Sequence, residues 1–295
     1  MVGPFPPFEP HGMSGPRIRE IPLRMIVPNV ITVLAICAGL SGIRLAFENR
    51  FETAVIMVLI AAFLDGIDGR TARMLKATTK FGAQMDSLAD IVNFGVAPAL
   101  VLYAYVLDGA RGLGWIAALL FAIACGLRLA RFNVMGEDPN PLGWQADYFV
   151  GVPAPAGAVL LLLPAYLGFL GVERTDLFAY VSTVYAVLVA MLLISRLPVY
   201  SGKGISTKVH RDIVLPLILI VVLYVSLLAN YTWETLSVSA LIYLGSLPFG
   251  FRAYSRRAEK EGAGPERDIR DGLEATPAAS PGEPGEDSAN PENNK

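Results

Sequence analysis

The 295-residue chain is 54% hydrophobic and only 17% charged, with a mean hydropathy of +0.50 and a formal net charge of −2. An ordinary soluble domain carries about 25% charged residues, and a membrane-spanning helix needs about 20 apolar ones. The composition leaves room for about eight spans. It excludes a large soluble domain and a soluble enzyme on a single anchor.

Residues 1–16 carry Gly3, Pro4, Pro6, Pro7, Pro10 and Gly12, with no basic segment ahead of an apolar core. They read as a disordered start and not as a signal peptide. Arg17–Met25 suits a short interfacial segment, which Pro22 keeps from being a long helix. The first apolar run is Val27–Phe47. The second, Thr53–Leu64, runs into Asp65 and Asp68 and spans the bilayer if its helix continues through Arg73. The third, Ile91–Leu107, follows a polar turn, Asp86–Asp90. Leu113–Leu129, Val152–Leu170, Leu177–Leu193, Ile213–Ala229 and Leu236–Phe251 complete the set. Every backbone amide in hydrocarbon needs an internal partner, and no two-residue period marks a barrel. All eight runs are therefore predicted as helices of an all-α, polytopic membrane bundle. Cys37 and Cys125 lie inside apolar runs and read as packing residues, while Trp115, Trp144 and Trp233 suit an interfacial belt. Residues 259–295 are rich in Gly, Pro, Glu, Asp and Asn and read as a disordered tail. The expected organisation is residues 1–16 disordered, 17–258 a membrane catalytic domain, and 259–295 an acidic tail.

Basic residues orient the bundle. With the N-terminus inside, the inner segments up to and including Lys260 carry 17 Lys and Arg, and the outer loops carry four: Arg44, Arg50, Arg111 and Arg174. Both termini are then cytoplasmic. The tail holds ten acidic and four basic residues, a net of −6, which leaves residues 1–258 at +4. The overall charge thus hides a basic, cytoplasm-facing body.

The informative stretch is Leu64–Pro98, with Asp65, Asp68, Asp86 and Asp90. Asp65 and Asp68 are three apart and Asp86 and Asp90 four apart, so each pair shares a helical face. A short basic connection folds one pair against the other. Four carboxylates that close repel one another unless neutralised. Either they pair with Arg70, Arg73, Lys76 and Lys80, or divalent cations do the work. Hard oxygen ligands without His or Cys select Mg²⁺ or Mn²⁺, two ions balancing four carboxylates. Gly69 and Gly82 allow close approach, and Arg73 suits a phosphate. The stretch reads as a phosphoryl-transfer centre at the cytoplasmic interface. A cation transporter with an intramembrane ion site is the contrasting reading, but it predicts carboxylates at the midplane and a second, repeated copy. There is no Walker loop, no Ser-His-Asp arrangement and no nucleic-acid module.

The pattern D-x-x-D-G-x-x-A-R-x8-G-x-x-x-D-x-x-x-D is met by Asp65, Asp68, Gly69, Ala72, Arg73, Gly82, Asp86 and Asp90. It resembles the signature of the CDP-alcohol phosphotransferases. Pro28-Asn29, the Phe94–Pro98 run, Arg128-Leu129-Ala130-Arg131-Phe132-Asn133, Gly151–Ala156 and Ile194-Ser195 with Pro198 and Tyr200 are similar to the bacterial integral-membrane phosphatidylserine synthases. This resemblance implies a CDP-alcohol phosphotransferase fold in the bacterial cytoplasmic membrane, and transfer from CDP-diacylglycerol to L-serine with release of CMP. It implies that Asp65, Asp68, Asp86 and Asp90 bind metal, that Asp90 is the general base, and that Asp68, Gly69, Ala72, Arg73 and Gly82 hold the CDP moiety. It also implies a homodimer. Glycerol 3-phosphate, choline or inositol phosphate as acceptor, or an ether-lipid donor, would preserve the same chemistry. A serine carboxylate needs a cation, and Arg131 and Asn133, with help from Arg128, are the expected site. Lys203, Lys208, His210 and Arg211 could meet lipid phosphates or serve orientation alone.

Overall fold

The computed structural model describes residues 23–136, 148–195, 198–200 and 211–260. The segments around His11 and Arg17, Trp144, the Lys203–His210 loop and the acidic tail lie outside the described residues. Each of the eight apolar runs is helical.

Helix α1 (Leu23–Phe47) turns at Glu48–Arg50 into α2 (Phe51–Met74), with Asn49 at a positive φ of 61° in the turn. The two form an antiparallel hairpin with closely set backbones. A Cβ on Gly42 would sit 3.0 Å from the Ala54 carbonyl oxygen and 3.1 Å from Val58 Cγ2. Small residues at such crossings let helices approach in a medium that gives no hydrophobic drive for association.

After Leu75–Thr79 the chain reverses into α3 (Lys80–Asp90), a wide-wound stretch at Ile91–Val96, and α4 (Ala97–Tyr105). The Thr79 side chain caps α3, accepting from the Gly82 amide at 2.9 Å. In the wide turn the Ala97 amide reaches back five residues to the Val92 carbonyl. The polar residues Asp86–Asp90 are thus part of one continuous span, Phe81–Tyr105, and not a turn ahead of it. Asn93, Phe94 and Gly95 in the wide turn are buried, and Gly95 lies against Cys125 of the next long helix.

A 3₁₀ turn at Leu107–Ala110 leads into α5 (Gly112–Gly136), where Gly114 is pressed on the Leu107 carbonyl and has no room for a side chain. The fifth apolar run is two helices, α6 (Ala154–Leu161) and α7 (Leu163–Phe169). Pro164 lacks the amide that would continue the ladder, so the run breaks at Leu162. Helix α8 (Asp176–Ile194) is capped by Thr175, and α9 (Arg211–Asn230) and α10 (Thr232–Lys260) follow. One antiparallel pair of three-residue strands, β1 (Tyr148–Val150) and β2 (Pro198–Tyr200), joins the chain before α6 to the chain after α8. Segments this short leave no periodic trace in a sequence.

Phe94, Leu102, Leu107, Phe121, Leu160–Leu162, Tyr166 and Leu193 form the core. Trp233, at the start of α10, is partly buried and packs against it, with its ring centre 4.6 Å from that of Phe169 and its ring stacked on Tyr166. Large apolar side chains also cover the outer faces, among them Leu215 at 68% and Ile220 at 63% exposure. Such a surface is suited to hydrocarbon and not to water. Among the described residues, four segments, Ile26–Phe47, Phe81–Tyr105, Gly112–Val134 and Asp176–Ile194, are long and apolar enough to cross a membrane. The protein is an integral membrane helix bundle.

Candidate active site

The α2–α3 hairpin brings the two acidic pairs together. Asp65, Asp68 and Asp86 each offer a carboxylate oxygen within 4.8 Å of the others. Asp90 completes the group beside Asp65, and Asp86 lies beside Asp68, so each carboxyl of α2 faces one from α3. Asp68 is 2% exposed. Its Oδ2 accepts from Thr32 Oγ1 at 2.7 Å, and its Oδ1 accepts from the Gly69 amide. Thr32 also donates to the Pro28 carbonyl, one turn back on α1.

Among the described residues the only ion pair is Arg44–Glu48, at the opposite end of α1. Among the described side chains no basic group forms an ion pair with any of the four aspartates, so Arg70, Arg73 and Lys76 do not supply the salt-bridge alternative; the side chain of Lys80 lies outside the described residues. Asp65 Oδ1 is buried with no hydrogen-bond partner. An orphaned carboxylate oxygen facing further carboxylates is what a divalent-cation site presents, and the all-oxygen donor set fits Mg²⁺ or Mn²⁺.

A cavity of about 200 Å³ adjoins this group. Asp68, Gly69, Ala72, Arg73, Gly82 and Asp86 line it, which includes all five residues expected to hold CDP. A Cβ on Gly69 would meet only Arg73 Nη1, at 3.7 Å, so no protein atom demands glycine there. Its bare face opens to the cavity. At Gly82 a Cβ would stand 3.0 Å from Asn29 Oδ1 and 3.1 Å from Thr79 Oγ1, so glycine lets α3 close on α1. The rest of the wall is Pro28, Asn29 and Thr32 from α1, Ala77–Thr79 from the hairpin turn and Ala83 from α3. Thr32 escaped the sequence reading. A polar residue pointing inward from an apolar span was the available signal, and Thr32 sits one turn after the Pro28-Asn29 pair.

The three residues expected to bind a serine carboxylate have different surroundings. Arg131 Nη1 donates to the Ile194 carbonyl at 3.1 Å, tying α5 to the end of α8. Asn133 Nδ2 donates to Ser87 Oγ at 3.0 Å, tying α5 to α3. Arg128 is half-buried near Asp90, and its Nε is buried without a partner.

A membrane helix bundle that sets a carboxylate cluster beside a cavity has the parts an integral-membrane group-transfer enzyme needs. The comparisons with known proteins are specific. The family model described as CDP-alcohol phosphatidyltransferase matches residues 25–195, and a second, CDP-alcohol phosphatidyltransferase 2, matches residues 212–248. The chain is 41% identical over 238 residues to the CDP-diacylglycerol–serine O-phosphatidyltransferase of Mycobacterium leprae, covering 80% of this chain and 78% of that protein. It is 36% identical over 249 residues to the protein of that name from Mycobacterium tuberculosis, covering 83% and 82%. The one from Helicobacter pylori is 34% identical over 223 residues, covering 74% and 88%. The chain belongs to the CDP-alcohol phosphatidyltransferase family.

Proposed function

We propose that the protein transfers the phosphatidyl group of CDP-diacylglycerol to the hydroxyl of L-serine, forming phosphatidylserine and releasing CMP. The carrying observation is the four-carboxylate cluster set against a cavity lined by every residue assigned to CDP. The name shared by the relatives supports serine as the acceptor.

Asp68, Gly69, Ala72, Arg73 and Gly82 hold the CDP moiety, with the bare face of Gly69 admitting the pyrophosphate and Arg73 supplying a guanidinium. Asp65, Asp68, Asp86 and Asp90 would hold two divalent cations, Mg²⁺ or Mn²⁺, whose charge would offset that of the attacked phosphorus and of departing CMP. Thr32 and the Gly69 amide fix the orientation of Asp68. The serine oxygen forms its bond to the lipid-side phosphorus as the bond from that phosphorus to the CMP oxygen breaks. Its proton passes to the Asp90 carboxylate. Arg128 receives the serine carboxylate, while Arg131 and Asn133 hold α5 in place and border the site.

Eight spans, both termini in the cytoplasm, a catalytic body at residues 17–258 in the bacterial inner membrane and a homodimeric assembly complete the reading. The inside excess of Lys and Arg supports the orientation.

The test is CMP release from CDP-diacylglycerol in detergent, with Mg²⁺, with Mn²⁺ and with chelator, across a panel of acceptors. Serine-dependent, metal-dependent release with phosphatidylserine as the lipid product is expected. Release that requires glycerol 3-phosphate, choline or inositol phosphate instead would reassign the acceptor, and no release with either metal would overturn the reading.

A further inference from the structure

The carboxylate cluster has two sides. Asp68 and Asp86 face the cavity, which neither Asp65, Asp90 nor Arg128 lines. On the other side, Arg128 from α5 lies near Asp90 from α3, and Tyr243 from α10 stands near Arg128. Tyr243 is half-buried and packs against the apolar core. Its hydroxyl is buried and has no hydrogen-bond partner, as is true of Arg128 Nε. Leaving a buried donor unmade is costly, and here two such donors from different helices sit within electrostatic reach of each other. A carboxylate answers both: it carries two acceptor oxygens and the charge that a guanidinium favours.

The position of Tyr243 in the chain agrees. It lies beyond residues 25–195, the stretch that carries the aspartates, and within residues 212–248, matched by a separate model. The transfer chemistry and this hydroxyl therefore come from different parts of the protein.

We propose that Tyr243 is an acceptor-binding residue that, together with Arg128, hydrogen-bonds the carboxylate of the amino-acid acceptor and so presents its hydroxyl to Asp90. This rests on the reading of the protein as a serine transferase. Tyr243 selects for the carboxylate and takes no part in proton transfer.

The experiment uses the full-length chain in detergent and compares wild type with Tyr243→Phe, which removes only the hydroxyl. Initial rates of CMP release are measured with L-serine and with serinamide, which keeps the amine and hydroxyl but lacks the carboxylate. Losing one hydrogen bond to a charged group should raise the serine KM about tenfold. The KM for CDP-diacylglycerol stays put, and kcat/KM for serinamide changes little. The ratio of serine to serinamide kcat/KM therefore falls about tenfold, a quantity independent of how much of the variant is folded. An unchanged ratio overturns the proposal, whether both substrates suffer equally or neither does. Failure of the serine reading itself is distinguishable, because wild type would then release no CMP with serine before any variant is measured.

Discussion

Asp68 is gripped from two directions, and each contact can be removed alone. Thr32→Val keeps the shape of the side chain but deletes the hydroxyl that donates to Oδ2. Partners that orient a metal ligand are typically worth about 10- to 100-fold in metal affinity. Titrating Mg²⁺ or Mn²⁺ against CMP release should show half-activation shifted at least about tenfold upward in Thr32→Val, with Thr32→Ser near wild type. Asp90→Asn should lower kcat by about 10²- to 10⁴-fold, the range for loss of a positioned general base, measured at saturating serine and metal. Gly69→Ala separates stability from activity. The new methyl meets no protein atom closer than 3.7 Å, and alanine favours a helix over glycine by about 1 kcal/mol. The variant should unfold at or above the wild-type temperature while its KM for CDP-diacylglycerol rises, because the methyl occupies ligand space.

Among the elements, the α1–α2 hairpin is the foundation on which the acidic residues rest, since Thr32 and Asp68 meet across it. Gly42 marks a close crossing. Gly42→Leu must push the Ala54 carbonyl and Val58 aside, and overpacking of this kind costs about 1–3 kcal/mol. A lowered thermal midpoint in detergent, with activity lost in parallel, is the expected result. The third span shows where reading the chain stops short. Asp86 and Asp90 look like a turn because Asp86, Ser87 and Asp90 put three polar residues within five positions ahead of the apolar run. In the fold they are helical, since α2 places its own carboxylates and not lipid opposite them. The wide turn at Ile91–Val96 leaves no compositional mark either. The apolar runs themselves were legible because hydrocarbon imposes a length and a composition on each. The acidic spacing was legible because it reports a single helical face. Tyr243 was not, since Arg128, the charge it stands near, lies on α5 and nothing in its own helix announces it. Arg131 and Asn133 looked like ligands for the same reason that Arg128 did, and only their bonds to Ile194 and Ser87 set them apart.

For the whole molecule, charge is divided by function: a body at +4 and a tail of residues 259–295 at −6. Ending the chain at Glu261, past the last residue of α10, should leave serine-dependent CMP release unchanged. A large loss would mean that the acidic segment acts on the catalytic body.

The two-sidedness of the carboxylate cluster carries a stereochemical consequence. If the nucleotide departs into the cavity beside Asp68 and Asp86 while the acceptor arrives beside Asp90 and Arg128, the entering and leaving oxygens lie on opposite faces of the phosphorus. A single displacement along that line turns the phosphorus inside out. CDP-diacylglycerol made chiral at the lipid-side phosphorus should then give a product of inverted configuration. Retention would require two displacements and a phosphatidyl group carried for a time on the protein itself.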